Sequence, residues 1–241
     1  MVLVVLLFPA LALGGEVKAE PIYHEKYYPD GFGPFPAVIA LHTSGGFNTV
    51  KHLIQRYVDD GFVVYAPDFF KRHGLTFRTR METFSTYREN IEKELTEIIN
   101  IMKEDKKIQK KNIFSVGFSN GGFWVCYLTG TSKVTAGVSH YGVWKANLGR
   151  KIINPYPMEY FSKSSSVILA LHGAKDGAQR MKFVKKAWGI VKGRGGRLET
   201  HVYSGTNHAW DKKNSRKWDY NEKVDKDSHK RTIEFFRKNM K

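Results

Sequence analysis

The segment from Asn112 to Leu128 contains the residues of this chain with the clearest potential for chemistry. A run rich in β-branched and aromatic residues leads into Gly117-Phe118-Ser119-Asn120-Gly121, and an apolar segment follows directly. This G-x-S-x-G pattern predicts a strand that turns sharply into a helix and holds one serine hydroxyl at the tip. The glycines remove the Cβ atoms that would collide in so tight a turn. Ser119 is therefore the candidate nucleophile, and the positive end of the helix dipole would face charge that develops beside it.

Two further residues could activate the Ser119 hydroxyl, which is a poor nucleophile at neutral pH without a base. His208, in a Gly- and Ser-rich segment that follows a predicted strand, is the candidate base. Asp176 would hold the imidazole in the correct tautomer and stabilise the imidazolium. The order Ser, Asp, His along the chain is the order found in α/β-hydrolases. Asp211 is the rival carboxylate, but it lies just past His208 on the same predicted loop.

A serine nucleophile that attacks a carbonyl also needs two N–H donors for the oxyanion. The backbone N–H of Asn120, which follows the serine, is the first candidate. The second should come from the loop after the apolar run Ala37–Leu41, where Ser44 and Thr43 are the candidates. Four further residues near predicted strand ends are candidates for the substrate pocket: His42, His140, Tyr141 and Trp210.

The elements that must position these residues alternate along the chain between apolar runs and amphipathic segments. Strands are predicted at 22–28, 37–41, 62–66, before Ser119, and at 134–140, 166–171 and 198–203. Helices are predicted at 47–60, 81–104, after Ser119, at 178–193 and near the C-terminus. This alternation predicts an α/β fold with a mostly parallel central sheet and helices on both faces. Ligands of such sheets bind beyond the carboxyl ends of the strands, where the four candidate loops should converge.

Composition indicates one globular α/β domain over residues 20–241, because the chain of 241 residues is 41% hydrophobic and 14% aromatic. The 39 Lys and Arg against 23 Asp and Glu give a net charge of +16. Such a charge favours anionic partners, although no zinc-finger spacing or RNA-recognition signature accompanies it. A solvated basic surface is the simpler interpretation. Cys126 is the only cysteine, which excludes an intramolecular disulfide and a thiolate metal cluster.

Residues 1–15 form an uncharged apolar run that is short for a membrane span and ends in small residues. The run resembles the hydrophobic region of a signal peptide, so residues 1–19 are predicted to be one, although the usual positive region before it is missing. A secreted or periplasmic protein is the expected result. If residues 1–15 form a buried first strand instead, the protein is cytoplasmic.

From about Tyr27 to the C-terminus, the sequence resembles the dienelactone hydrolase family of the α/β-hydrolase superfamily. The resemblance is carried by Tyr28-Pro-Asp-Gly, Pro36-Ala-Val-Ile-Ala-Leu-His42, Ala66-Pro-Asp-Phe-Phe70, Gly117-Phe-Ser-Asn-Gly-Gly122, Gly173-Ala-Lys-Asp176 and Tyr203-Ser-Gly-Thr-Asn-His208-Ala-Trp210. The family implies hydrolysis of a small-molecule ester or lactone through a covalent acyl-enzyme, with no metal and no organic cofactor, and the basic surface would favour a substrate that carries an anionic group. A peptidase or an acyltransferase could use the same three residues, and a non-catalytic protein of this fold could bind anionic polymers.

Two positions depart from the family pattern. Founding members carry a cysteine nucleophile, so Ser119 makes the chain similar to the serine-type branch, and the resemblance does not specify dienelactone as the substrate. The segment His42-Thr43-Ser44 stands where relatives commonly have His-Gly. A β-branched Thr43 cannot adopt a positive φ at low cost. Either the loop does not need one at this position, or the oxyanion site is impaired.

Overall fold

A computed structural model describes residues 22–146, 155–213 and 219–241, which fold around a seven-stranded sheet. The predicted signal peptide at 1–19 lies outside the described residues. The sheet order is β1-β3-β2-β4-β5-β6-β7, with β1 antiparallel at one edge and all other neighbours parallel. The strands are β1 His24–Tyr27, β2 Phe35–Leu41, β3 Val63–Pro67, β4 Ile108–Phe118, β5 Ala136–His140, β6 Val167–Gly173 and β7 Leu198–Tyr203. The predicted mostly parallel α/β sheet is confirmed.

In the part of the chain that the structure describes, five α-helices cover the two faces of the sheet: α1 Lys51–Asp59, α2 Arg88–Glu104, α3 Asn120–Gly130, α4 Met181–Gly193 and α5 Glu222–Lys238. The buried residues of α2, α3 and α4 belong to one hydrophobic cluster, and those of α1 and α5 belong to a second. Helices therefore lie on both faces, as the amphipathic periodicity predicts. Within the three described ranges, no helix is both long and apolar enough to cross a membrane.

The register of the central strands brings the candidate loops to the same level. In the parallel pair of β2 and β4, Leu41 lies opposite Gly117, so the loop after β2 and the turn at Ser119 start side by side. In the pair of β6 and β7, Gly173 lies opposite Tyr203, and the loops that carry Asp176 and His208 start there. The carboxyl ends of β2, β4, β6 and β7 thus supply all four predicted loops.

The long helix predicted at 81–104 is shorter in the structure. Residues Arg80–Phe84 form a 3₁₀ helix, and α2 begins only at Arg88. The Thr83 hydroxyl donates to the Arg80 carbonyl at 2.8 Å, a local bond that competes with regular helical bonding. Phe84 is nevertheless buried. The apolar residues that suggested one continuous helix are therefore buried by a 3₁₀ helix followed by α2.

Candidate active site

The turn at Ser119 has the strained backbone that its sequence pattern predicts. Ser119 has φ 52° and ψ −107°, a conformation that non-glycine residues rarely adopt. A Cβ added at Gly121 would lie 2.2 Å from the Leu41 carbonyl oxygen, and one at Gly117 would lie 2.3 Å from the Gly121 carbonyl oxygen. Both flanking glycines are therefore required by close backbone approach. The Ser119 N–H donates to the His140 carbonyl at 3.0 Å, which fixes the turn to β5.

Ser119, His208 and Asp176 form one hydrogen-bonded chain. Ser119 Oγ lies 2.9 Å from His208 Nε2, and His208 Nδ1 lies 2.7 Å from Asp176 Oδ2. Because a carboxylate only accepts, Nδ1 carries the proton and Nε2 is left to accept from the serine hydroxyl. The second carboxylate oxygen of Asp176 accepts the N–H groups of Ala178 at 2.8 Å and Gln179 at 2.7 Å. The geometry is that of a serine nucleophile with an oriented base, and the catalytic roles remain predictions.

Asp176 is buried yet stays ionised. Burial by itself would raise the pKa of Asp176, but the hydrogen bond and charge of His208 outweigh it, and the pKa lies below its ordinary value. His172 contributes from the other side, with Nε2 3.3 Å from Asp176 Oδ2 and 2.8 Å from the Gln179 carbonyl oxygen. Burial lowers the pKa of His172, so its imidazole is neutral near pH 7 and its Nε2–H donates to the Gln179 carbonyl oxygen.

The hydrogen bonds of the loop after β2 distinguish Thr43 from Ser44, the two candidates for the second oxyanion donor. The Thr43 N–H donates to Thr49 Oγ1 at 3.1 Å, and Thr43 Oγ1 accepts the Gly45 N–H at 3.1 Å. Thr43 does not have a positive φ, so its β-branched side chain is compatible with the loop. Among the described residues, the N–H groups of Ser44 and Asn120 donate to no partner. Ser44 is therefore the better candidate of the two, because its N–H remains available.

The side chain of Asn120 connects three parts of the site, which sequence reasoning missed. Its amide nitrogen donates to Thr83 Oγ1 at 3.2 Å and, more weakly, to Ser44 Oγ at 3.4 Å. Asn120 is fully buried, so these bonds hold the loop after β2 and the 3₁₀ helix against the start of α3. A polar residue at the start of an otherwise apolar helix was the available signal.

A cleft of about 620 Å³ opens beside Ser119 and His208. Three cationic residues line it: Arg80, Lys212 and Lys213. Their positive field favours anionic groups in the cleft. Phe77, which is 62% exposed, and His52 also line the cleft, and no sequence pattern marked either residue. Among the described residues, no group of three or more His, Cys, Asp or Glu side chains is arranged to hold a metal ion.

Tyr141 borders the cleft but is fully buried, so its place in the substrate pocket stays a prediction. Its ring packs edge-on against the His208 ring, with centroids 4.8 Å apart. Its hydroxyl donates to Asp211 Oδ1 at 2.5 Å. Asp211, the rival carboxylate, thus hydrogen-bonds to Tyr141, while Asp176 hydrogen-bonds to His208.

His42 and Trp210 are fully buried behind the cleft, which corrects their assignment to the substrate pocket. The His42 ring stacks on Phe69 with centroids 3.7 Å apart, and its Nδ1 lies 2.8 Å from the Thr43 carbonyl oxygen. The Trp210 indole N–H donates to Ser228 Oγ at 3.1 Å. Both side chains are turned toward polar partners inside the protein, so they support the loops rather than contact a ligand.

His140 is also buried behind the cleft, and its assignment to the pocket is corrected for the same reason. Its Nε2 lies 2.9 Å from Thr232 Oγ1, and the Thr232 hydroxyl donates onward to the Ser228 carbonyl at 2.8 Å. The hydroxyl proton is thereby committed, so the His140 ring donates from Nε2. Burial lowers the pKa of His140 to about 3.

Neutral His140 should make the fold sensitive to acid. Between about pH 6.5 and 3 the unfolded chain binds a proton at His140 that the folded protein does not bind, so the free energy of unfolding falls as pH falls. From pH 7 to pH 4.5 this residue alone should lower it by about 2–3 kcal/mol. Urea unfolding across this range gives the slope of the free energy of unfolding against pH. In His140→Gln this slope should be smaller by the amount that corresponds to about one proton. An unchanged slope in that variant would contradict a neutral, buried His140.

Comparison with known proteins identifies the family of this chain. The model of the dienelactone hydrolase family matches residues 25–240. The chain belongs to the dienelactone hydrolase family. Membership of the dienelactone hydrolase family places it among the carboxylic-ester hydrolases of the α/β-hydrolase superfamily. No curated protein sequence matches the chain.

Solved structures share the fold of this dienelactone hydrolase family member at low sequence identity. A candidate dienelactone hydrolase from Klebsiella pneumoniae is 19% identical, with a TM-score of 0.75 over 88% of this chain and 91% of that chain. A dienelactone hydrolase-like promiscuous phosphotriesterase from metagenomic libraries is 18% identical, with a TM-score of 0.73 over 90% and 92% of the two chains. A butyrate-bound esterase from Thermogutta terrifontis is 14% identical, with a TM-score of 0.65 over 88% of each chain.

Proposed function

We propose that this protein hydrolyses small carboxylic esters or lactones through a covalent intermediate on Ser119. The observation that carries the proposal is the hydrogen-bonded chain from Ser119 through His208 to Asp176 beside an open cleft. Family membership supports ester hydrolysis as the reaction. Further support comes from the Thermogutta terrifontis esterase, which shares this fold and has been solved phosphorylated by paraoxon.

In the first half of the reaction, Ser119 Oγ attacks the ester carbonyl carbon and its proton moves to His208 Nε2. Asp176 remains anionic and stabilises the imidazolium through Nδ1–H. The N–H groups of Asn120 and Ser44 donate to the oxygen that becomes negative. When the tetrahedral intermediate collapses, the carbon–oxygen bond to the alcohol breaks, and His208 returns its proton to that alcohol.

In the second half, a water molecule attacks the acyl–Ser119 ester. His208 accepts the proton of the water, and the same two N–H groups stabilise the second oxyanion. Collapse then breaks the bond to Ser119 Oγ, which regains its proton from His208. An ester yields an acid and an alcohol, whereas a lactone yields a single hydroxy acid. No group beyond the chain and water is required by this balance.

The lining of the cleft supports a small substrate, and an anionic group on it would be favoured. Arg80, Lys212 and Lys213 lie along the same cleft as Ser119, and opposite charges attract strongly across partly enclosed surfaces. This arrangement connects part of the chain's large positive charge with the site. Much of the remaining charge lies on exposed lysines of the helices, as on α4.

Fluorophosphonate labelling of the intact, folded protein tests the proposal. The reagent is expected to attach once, to the peptide that contains Ser119. The rate of p-nitrophenyl butyrate hydrolysis should fall in proportion to the fraction of protein that is labelled. Attachment requires the base and the oxyanion donors in place, so heat-denatured protein is the control and should stay unlabelled. A folded protein that neither takes the label nor hydrolyses the ester would refute serine hydrolysis.

A further inference from the structure

A second polar cluster lines the cleft and has no part in the mechanism above. Its members are Asp211, Tyr141 and His52, all of which border the same cavity as Ser119. Asp211 is only 5% exposed, and one of its oxygens accepts the Tyr141 hydroxyl proton. A buried carboxylate is costly to maintain beside a cleft unless it is hydrogen-bonded. Among the described residues, Asp211 receives its own backbone N–H and the Tyr141 hydroxyl, and the latter binds Oδ1.

The other oxygen of Asp211 faces His52 across a gap. Asp211 Oδ2 lies 3.9 Å from His52 Nε2, which is beyond direct hydrogen-bonding distance. An oxygen atom placed between them at about 2.8 Å from each would meet both atoms at ordinary hydrogen-bond length. That oxygen would accept an N–H from His52 and donate to the carboxylate. A hydroxyl group can do both, whereas a carboxylate only accepts and an ammonium only donates.

The cluster adjoins the candidate base His208 through Tyr141. The ring of Tyr141 contacts the His208 ring, and its hydroxyl binds Asp211. In the proposed reaction His208 returns its proton to the departing alcohol, so that alcohol lies next to His208. Ser119, His208, His52 and Asp211 line one cleft, so an alcohol next to His208 shares that cleft with the gap.

We propose that the gap between Asp211 and His52 binds a free hydroxyl group on the alcohol part of the ester. Preferred substrates are then monoesters of diols or polyols, in which one hydroxyl is acylated and a neighbouring one is free. This inference rests on the proposed ester hydrolysis and specifies its substrate class. Asp211 and His52 act on specificity, because they bind the substrate and leave the reacting bond to Ser119 and His208.

A matched pair of esters tests the inference. Glyceryl 1-monobutyrate and propyl butyrate share the acyl group and a three-carbon alcohol, but only the first has free hydroxyls. The wild-type protein is expected to show a kcat/KM about 10- to 100-fold higher for the glyceryl ester, because a hydrogen bond to a charged group is stronger than a neutral one.

Two variants and a control locate the effect. His52→Leu removes the donor at a half-exposed position of α1, where folding is little affected, and Asp211→Asn replaces one acceptor by a donor. Each should reduce the ratio of the two kcat/KM values to about 3 or less. Gln55→Ala, on the exposed surface of the same helix, should keep both rates of the wild type.

The outcomes separate this inference from the proposed function. Equal hydrolysis of the two esters by wild type overturns the hydroxyl site and leaves ester hydrolysis intact. A preference that survives both variants overturns the assignment to Asp211 and His52. Hydrolysis of neither ester, together with failure of the fluorophosphonate label, overturns the proposed function and this inference with it.

Discussion

Ser119→Ala is expected to lower kcat for p-nitrophenyl butyrate by about four to six orders of magnitude while the protein stays folded. The substitution removes only the hydroxyl that lies 2.9 Å from His208 Nε2, and with it the atom that would carry the acyl group. Alanine and serine have similar costs at the φ of 52°, so the turn should persist. Initial rates and fluorophosphonate labelling should fall together, and urea unfolding should change little.

Ser132→Ala is a control matched in the backbone angle φ. Ser132 has φ 56°, lies just past the other end of α3 and is exposed, with its hydroxyl donating to the Ser164 carbonyl at 2.8 Å. It therefore reproduces the loss of one serine hydroxyl at a left-handed position, away from the cleft. Activity should be retained in this variant. Comparable loss in both variants would mean that a disturbed α3, rather than a missing nucleophile, explains the effect.

The positions of the reacting residues could be predicted from the sequence because each lies where a buried strand ends. Parallel strands deliver their carboxyl ends to one edge, so Ser119, Asp176 and His208 meet although 89 residues separate the first from the last in sequence. The close approach of Gly121 to the Leu41 carbonyl was predictable for the same reason, since a nucleophile at a strand end needs a tight turn.

The details of the oxyanion loop could not be predicted, because they depend on hydrogen bonds between Thr43 and Thr49, six residues apart, that no sequence pattern marks. The sequence raised the question whether Thr43 could adopt the required backbone. The structure answers it through Thr49, whose hydroxyl binds both the N–H and the hydroxyl of Thr43. Thr49 was part of a predicted helix and gave no sign of this contact. Its actual place is a 3₁₀ segment, Phe47–Thr49, that precedes α1.

The residues that line the cleft could not be predicted from the sequence either, because several lie in segments without helical or strand periodicity. Phe77 and Arg80 enter it from the stretch between β3 and α2, which carried no strand or helix signal up to residue 80. His42 and Trp210 show the opposite error. Both follow a strand closely, as ligand-binding residues do, yet both are turned into the protein and fully buried. Position at a strand end predicts nearness to the site, but not the direction of a side chain.

Asp176→Asn is expected to lower kcat by about three to four orders of magnitude near neutral pH. An asparagine can still accept the N–H groups of Ala178 and Gln179, so the turn after β6 should remain. Its amide nitrogen would then face His208 Nδ1 and favour the imidazole tautomer with the proton on Nε2. His208 Nε2 would then carry a proton already and could no longer accept the proton of Ser119. Steady-state kinetics measures the loss, and urea unfolding monitors the fold.

The rival carboxylate supplies the comparison that makes this result specific. Asp211→Asn should reduce kcat for p-nitrophenyl butyrate by less than about 10-fold, because Asp211 binds Tyr141 and not His208. Equal losses in the two variants would contradict the assignment of Asp176. Urea unfolding of Asp211→Asn is required beside the kinetics, because its partner Tyr141 packs on His208.

The two carboxylates differ physically in a way that decides which can serve His208. Burial raises the pKa of Asp211, and the bond from Tyr141 does not reverse it. Asp176 receives His208 and two backbone N–H groups, and its pKa lies below the ordinary value despite burial. Asp176 is thus held in its charged form by the hydrogen bonds that place it beside His208, whereas Asp211 is hydrogen-bonded to Tyr141 and not to His208. The loop after β6 therefore does more than place a carboxylate near His208, because its N–H groups keep the negative charge on Asp176.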